Sequence, residues 1–159
     1  MKKKFNILLI LTFILLSCSM VNSDLRPHGS QYKLPELTRN NELIGNLNDN
    51  RSSYRVSFYD INIDFDIENK SINGFVTIKA QSLKDINRLQ IDLAENLNIQ
   101  KIIFQNNEVG FSRELDAVLV EFPNTIKKDA IFEFTVNYNG IPQSADNPPW
   151  AGGFTWSID

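Results

Sequence analysis

The chain has 159 residues, with 16 Lys and Arg against 19 Asp and Glu, and a formal net charge of −3. This length supports one domain, and the 42% hydrophobic and 22% charged residues exclude wholesale disorder and a polytopic membrane protein. The single cysteine excludes an internal disulfide. Mild acidity argues against nucleic-acid binding, and a single histidine, His28, excludes a zinc site built from several histidines.

Residues 1–17 are predicted to be a signal peptide. Three lysines precede a mainly apolar run at 5–16, which is shorter than the roughly 20 apolar residues that cross a membrane. The segment Leu15-Leu16-Ser17-Cys18 resembles the lipobox of bacterial lipoproteins, in which cleavage precedes the cysteine and its sulfur receives a lipid. The resemblance predicts lipidation of Cys18 and a cell-envelope protein, lipid-anchored to a bacterial membrane and facing the periplasm or exterior. An ordinary secretory signal and an uncleaved anchor stay open as alternatives.

Residues 18–53 are predicted to be a polar tether. This stretch is rich in Asn, Ser, Arg and Asp, and Pro27 and Pro35 block long helices. A short turn or helix is expected between Leu37 and Leu47. His28 lies in the tether, so a solvated linker residue is a better interpretation than a metal ligand or a catalytic group.

Residues 54–159 are predicted to form an all-β domain. Apolar side chains occupy every second position from Tyr59 to Ile67 and alternate with polar ones, which is typical of a strand with one buried face. Comparable patterns, separated by turns every 8–12 residues, favour an antiparallel β-sandwich or a curved, saddle-like sheet. The further predicted strands are 72–80, 89–93, 97–104, 108–112, 118–122 and 132–138. The predicted turns or strand ends are Asn69-Lys70, Asn106-Asn107, Pro123-Asn124 and Asn139-Gly140.

Four acids lie on one face of the first predicted strand: Asp60, Asp64, Asp66 and Glu68. Calcium binding would need several of these carboxylates on one ion. Positions four apart along a strand are about 13 Å from each other, so a solvated outer face is the better interpretation. The sequence contains no H-E-x-x-H, C-x-x-C, Gly-rich phosphate loop or G-x-S-x-G motif. No catalytic or metal-binding residue is therefore assigned.

The segment 147–156 combines two prolines, two glycines and three aromatic residues, Trp150, Phe154 and Trp156. Aromatic side chains supply a large area for burial, and glycine allows a close approach of the backbone. The segment could cap the core, dock onto a further domain or line a ligand pocket. The three aromatic residues are the candidate inter-domain docking residues.

Several segments resemble the N-terminal β-domain of the aminopeptidase N family of zinc metallopeptidases. Residues 59–74 are similar to the opening hairpin of that domain, and 89–104 to its next strands. Tyr138-Asn139-Gly140-Ile141-Pro142, Asn147-Pro148-Pro149-Trp150 and Gly152-Gly153-Phe154-Thr155-Trp156 are similar to a version found in bacterial members. The resemblance covers residues 37–159.

The resemblance implies an enzyme family that removes N-terminal residues from peptides with one zinc ion. In that family the zinc lies in a separate helical domain, held by two His of H-E-x-x-H and a distant Glu, and the motif Glu activates water. This sequence has none of these motifs, so no catalytic, metal or substrate residue is carried over. Zinc is expected only in a downstream catalytic domain.

The sequence thus favours the N-terminal, non-catalytic β-domain of a membrane-anchored zinc aminopeptidase, inactive alone. Its expected partners are a membrane, through the N-terminal lipid, and a downstream catalytic domain or partner chain. Peptide substrate is expected only in the full-length form. The alternative is a stand-alone β-sandwich lipoprotein that binds a protein or a glycan.

Overall fold

Two antiparallel β-sheets form the body of the computed structural model, which describes residues 36–148, 150 and 152–157. The five-stranded sheet has the order β1-β2-β8-β4-β5, and the three-stranded sheet has the order β3-β7-β6. The strands are β1 Tyr54–Asp66, β2 Ser71–Ser82, β3 Ile86–Asp92, β4 Leu97–Phe104, β5 Asn107–Val109, β6 Phe111–Glu114, β7 Ala117–Ile126 and β8 Ile131–Gly140. The predicted antiparallel all-β fold is confirmed. The signal peptide, Cys18 and His28 lie outside the described residues.

The core lies between the facing sides of the two sheets. Strand β8 shows why, because its even-numbered residues from Phe132 to Tyr138 are buried and alternate with more exposed ones. Phe122 of the three-stranded sheet joins the layers. Its ring packs edge-on against Phe104, Phe132 and Phe134 of the five-stranded sheet, at centroid distances of 4.8, 5.8 and 5.9 Å. This aromatic cluster holds the two sheets face to face.

Two short helices precede β1, namely α1 at Arg39–Gly45 and α2 at Asp49–Ser52. Thr38 and Asn41 form a capping box at the start of α1, so the helix predicted between Leu37 and Leu47 is confirmed. Neither helix in the described part of the chain approaches the length and hydropathy needed to cross a membrane.

Both helices are attached to the three-stranded sheet by side-chain contacts. Arg51 forms an ion pair with Asp92 at 2.7 Å. The Asn48 amide donates to Gln90 Oε1 at 3.0 Å, and the Asn40 amide donates to Asp116. Residues 37–52, which the sequence assigned to the tether, thus contact the sheet, and they fall in the same compact unit as the strands.

The turns and strand ends differ from the sequence predictions in three places. The turn at Asn69-Lys70 is confirmed, whereas the next one falls one residue earlier, at Gln105 and Asn106, both with positive φ. The single strand predicted at 108–112 is wrong, because Gly110 separates β5 from β6 and these belong to different sheets. Strand β7 also continues through Pro123.

Pro123 is accommodated by an irregular register between β3 and β7. Ile86 pairs with Ile126 and Arg88 pairs with Glu121, so residues 86–88 of β3 lie opposite the longer stretch 121–126 of β7. Proline cannot donate a ladder hydrogen bond and is tolerated in strands at such bulges. The prediction that this strand ends at Pro123-Asn124 is therefore wrong.

Strand β1 is the edge of the five-stranded sheet, and its apolar side chains are exposed. We define the β1 apolar row as Tyr59, Ile61, Ile63 and Phe65. Three of them are 54%, 61% and 56% exposed, and Ile63 is half-buried. Their register partners on β2 include the buried Ile72 and Ile78, so the row points to the core side of the sheet. The predicted burial of this face is wrong, since the three-stranded sheet does not cover it.

Candidate functional site

The segment after β8 folds back on itself through a short parallel bridge between Ser144 and Phe154. The Ala145 N–H donates to the Phe154 carbonyl at 3.0 Å, and the Phe154 N–H donates to the Gln143 carbonyl at 2.8 Å. Gly153 has a φ of +137°, and a Cβ placed there would lie 2.7 Å from the Ala145 nitrogen. Glycine is required here because this conformation and this close approach exclude a side chain.

This bridge presents three aromatic rings as one group, which we call the tail aromatic patch: Phe65, Phe154 and Trp156. Phe154 stacks on Trp156 at a centroid distance of 5.6 Å, and it contacts Phe65 of β1 at 6.2 Å. Phe154 and Trp156 are half-buried and pack against the core. The patch therefore connects the tail to the exposed β1 apolar row.

The predicted docking residues fall into two groups. Phe154 and Trp156 lie together, whereas Trp150 is 85% exposed. None of the three is fully enclosed, and a docking role for them stays a prediction. Phe65 was missed as a member because the period-two pattern placed it on a buried face. The buried Trp156 Nε1 has no hydrogen-bond acceptor among the described residues.

A cavity of about 510 Å³ opens between the five-stranded sheet and β3. Apolar side chains of the five-stranded sheet form its floor, while Arg51, Gln90 and Asp92 lie at its polar side. These polar groups bind one another: Arg51 pairs with Asp92, and the Gln90 amide donates to Asp92 Oδ1 at 3.0 Å and to the Leu43 carbonyl. The arrangement therefore attaches α1 and α2 to the sheet.

Tyr54 borders the same cavity, and the ionisation of its hydroxyl can be followed by absorbance. Its hydroxyl donates to the Gln90 carbonyl at 2.6 Å, and burial raises the pKa of Tyr54 to about 12. The folded pKa lies above the unfolded value of about 10. The stability linked to this group is therefore complete below pH 10 and is lost as the pH rises toward 12.

We expect an alkaline titration of tyrosinate absorbance to show a step near pH 12 that is absent in Tyr54→Phe. The matched variant Tyr59→Phe, which removes an exposed tyrosine, should keep a late step but move it to lower pH, because the charge of Tyr59 adds to burial in raising the pKa of Tyr54. Loss of the late step in Tyr59→Phe, or its persistence in Tyr54→Phe, would contradict the assignment to the buried hydroxyl.

The described residues do not supply a zinc site. No three His, Cys, Asp or Glu side chains among them come together in a group that could hold a metal ion. Of the four acids predicted on one strand face, Asp60, Asp64 and Asp66 lie exposed on β1, whereas Glu68 lies in the turn after the strand. Asp66 accepts hydrogen bonds from the Asn69 amide side chain and N–H, at 2.7 and 3.0 Å, and these lower its pKa. Its carboxylate stabilises the hairpin turn.

Solved structures of a Deinococcus radiodurans enzyme are similar to this chain. A mutant M1 zinc metallopeptidase bound to a Tyr-Ser-Ala substrate is 17% identical with a TM-score of 0.54, over 62% of this chain and 23% of that chain. The M1 zinc metallopeptidase itself is 18% identical with a TM-score of 0.52, over 60% and 22%. The described domain has the fold of the N-terminal region of M1 zinc metallopeptidases.

This chain spans less than a quarter of the length of the solved enzymes that it matches. Comparison with protein-family models gave no match, and comparison with curated proteins gave none either. The resemblance to the N-terminal β-domain of the aminopeptidase N family is confirmed in the fold. The described residues of this chain present exposed apolar surface at the β1 apolar row and at Trp150.

Proposed function

We propose that this chain is the N-terminal, non-catalytic β-domain of a membrane-anchored zinc aminopeptidase that removes N-terminal residues from peptides. The observation that carries the proposal is the M1-type fold, matched over 62% of this chain but only 23% of a solved enzyme. The zinc chemistry is assigned to a separate catalytic domain, because the described residues contain no group that could hold the metal.

The proposed role of the β-domain is to hold and position that catalytic domain. Trp150 is exposed, and the half-buried Phe154 and Trp156 stack on each other a few residues later in the chain, so these aromatics offer apolar area for an inter-domain contact. Large aromatic side chains contribute most to such contacts when they become buried. A lipid on Cys18 would attach the assembly to the cell-envelope membrane through residues 18–36.

The first test is activity. The purified chain supplied with zinc is expected to release no product from aminoacyl anilides and to retain no stoichiometric zinc after dialysis, because no metal ligands are gathered in the described domain. Metal content is measured by atomic emission and turnover by absorbance. Zinc-dependent turnover by this polypeptide alone would overturn the proposal.

The second test is genetic. We expect the coding sequence that follows codon 159 to encode H-E-x-x-H, in frame or in the adjacent reading frame, and its product to show zinc-dependent aminopeptidase activity together with this chain. Absence of such a sequence would favour the stand-alone lipoprotein that binds a protein or glycan.

A third test concerns the exposed aromatics. Trp150→Ser should weaken the zinc-dependent activity or the assembly about tenfold, whereas Phe58→Ser, which changes an exposed aromatic on β1, should not.

A further inference from the structure

We propose that the free edge of β1 binds an extended segment of a separate polypeptide by strand addition, and that this segment alternates apolar side chains with Lys or Arg. The inference goes beyond the proposed aminopeptidase role, because it concerns β1 alone and needs neither zinc nor a catalytic domain.

The backbone of β1 offers a long and regular edge. The strand is 13 residues long, and in the described part of the chain it pairs only with β2. Its register with β2 runs without interruption from Phe58, opposite Lys79, to Asp66, opposite Ser71. At about 3.4 Å per residue this part of the edge is about 30 Å long. An added strand can hydrogen-bond to the backbone groups that face away from β2.

The only protective feature of this edge, among the described residues, is its acidic side chains, which act against acidic or like-charged partners and leave it open to a basic one. Natural edge strands are commonly blunted by charged side chains, above all lysine, by proline, by β-bulges or by a covering element. Residues 58–66 contain no lysine, arginine, proline or glycine, and the one irregularity in the β1–β2 register lies before Phe58. The β1 apolar row is more than half exposed at Tyr59, Ile61 and Phe65. An apolar row on the incoming strand would bury this surface.

The opposite face of β1 determines the charge of the partner. Asp60, Asp64 and Asp66 are exposed there, and we call them the β1 acidic row. Opposite charges on neighbouring strands stabilise pairing, and like charges side by side destabilise it. Two copies of β1 paired about a twofold axis would place acidic row beside acidic row. The charge pattern thus disfavours a second copy and favours lysine or arginine.

The test measures binding of a fluorescent peptide with alternating valine and lysine to the purified full chain, by fluorescence anisotropy at low salt. We expect one-to-one binding, at least about tenfold tighter than that of a valine–glutamate peptide of equal length. Full N-methylation of the peptide backbone should abolish binding, because it removes the ladder donors. Hydrogen exchange of the β1 amides should slow in the complex.

Two variants localise the binding. The double change Asp60→Lys and Asp64→Lys should weaken binding of the valine–lysine peptide about tenfold or more, whereas Glu133→Lys, an exposed acid on the central strand β8, should leave it nearly unchanged. Equal binding of the glutamate peptide, binding that survives N-methylation, or a chain dimer that Ile61→Lys dissociates would each overturn the proposal. None of these outcomes affects the zinc and turnover tests.

Discussion

Replacing Gly140 with alanine is expected to lower the free energy of unfolding by about 3–5 kcal/mol, from backbone strain and overpacking together. Gly140 has a φ of +148°, a conformation that side-chain-bearing residues rarely adopt. A Cβ at this position would lie 2.5 Å from the Asn96 carbonyl oxygen and 3.1 Å from the Leu97 Cα. Gly140 pairs with both Ile72 of β2 and Leu97 of β4. A shift of the backbone that relieved the clash with Asn96 and Leu97 would therefore disturb the pairing on both sides of β8.

Urea denaturation followed by circular dichroism measures this change. The matched control is Gly45→Ala in α1, where an added Cβ has no neighbour within 4 Å. Since alanine is the better helix former, Gly45→Ala should be neutral or stabilising by a few tenths of a kcal/mol, and at most about 1 kcal/mol. Similar midpoints for both variants would show that Gly140 has no special conformational requirement.

Phe134→Ala is expected to destabilise the domain by about 3–5 kcal/mol, the range measured for truncating a buried aromatic side chain. Phe134 is 1% exposed, on the central strand β8. Its ring contacts Phe122 edge-on at 5.9 Å and Phe132 at 6.3 Å. Truncation would leave a void where the two sheets meet and would remove part of the contact that joins them.

Phe58→Ala is the matched control for this prediction. Phe58 is 59% exposed on the edge strand, so its truncation should cost less than about 1 kcal/mol. Both variants are compared by urea denaturation under identical conditions. A loss below 1 kcal/mol for Phe134→Ala would mean that the aromatic cluster does not carry the contact between the sheets.

Local patterns predicted most of the strands correctly. The strand at Leu97–Phe104 has the predicted bounds, and the hairpin turn lies at Asn69-Lys70 as predicted. Period-two alternation is a local property, and asparagine near a strand end is typical of a turn, although at this turn the residue with positive φ is Lys70. Helix α2 was missed because it is a single turn of four residues, too short to show helical periodicity.

The burial of a face could not be predicted, because it depends on strand order. The alternation in β1 specifies an apolar row, but only the sheet topology shows that β1 is an edge and that the row lies beyond the cover of the second sheet. The same reason applies to the candidate site. The sequence identified Trp150, Phe154 and Trp156, yet the contact between Phe154 and Phe65 joins residues far apart in the chain.

The position of β8 has a consequence for how the protein folds. This strand is last in chain order among the described strands, yet it lies in the middle of the five-stranded sheet and pairs with both β2 and β4. During synthesis on the ribosome, the β1–β2 hairpin is complete before residues 131–140 are made, so β2 then lacks β8, its second pairing partner. Such long-range pairings slow folding, so the nascent chain exposes apolar strand surface until synthesis has passed Gly140.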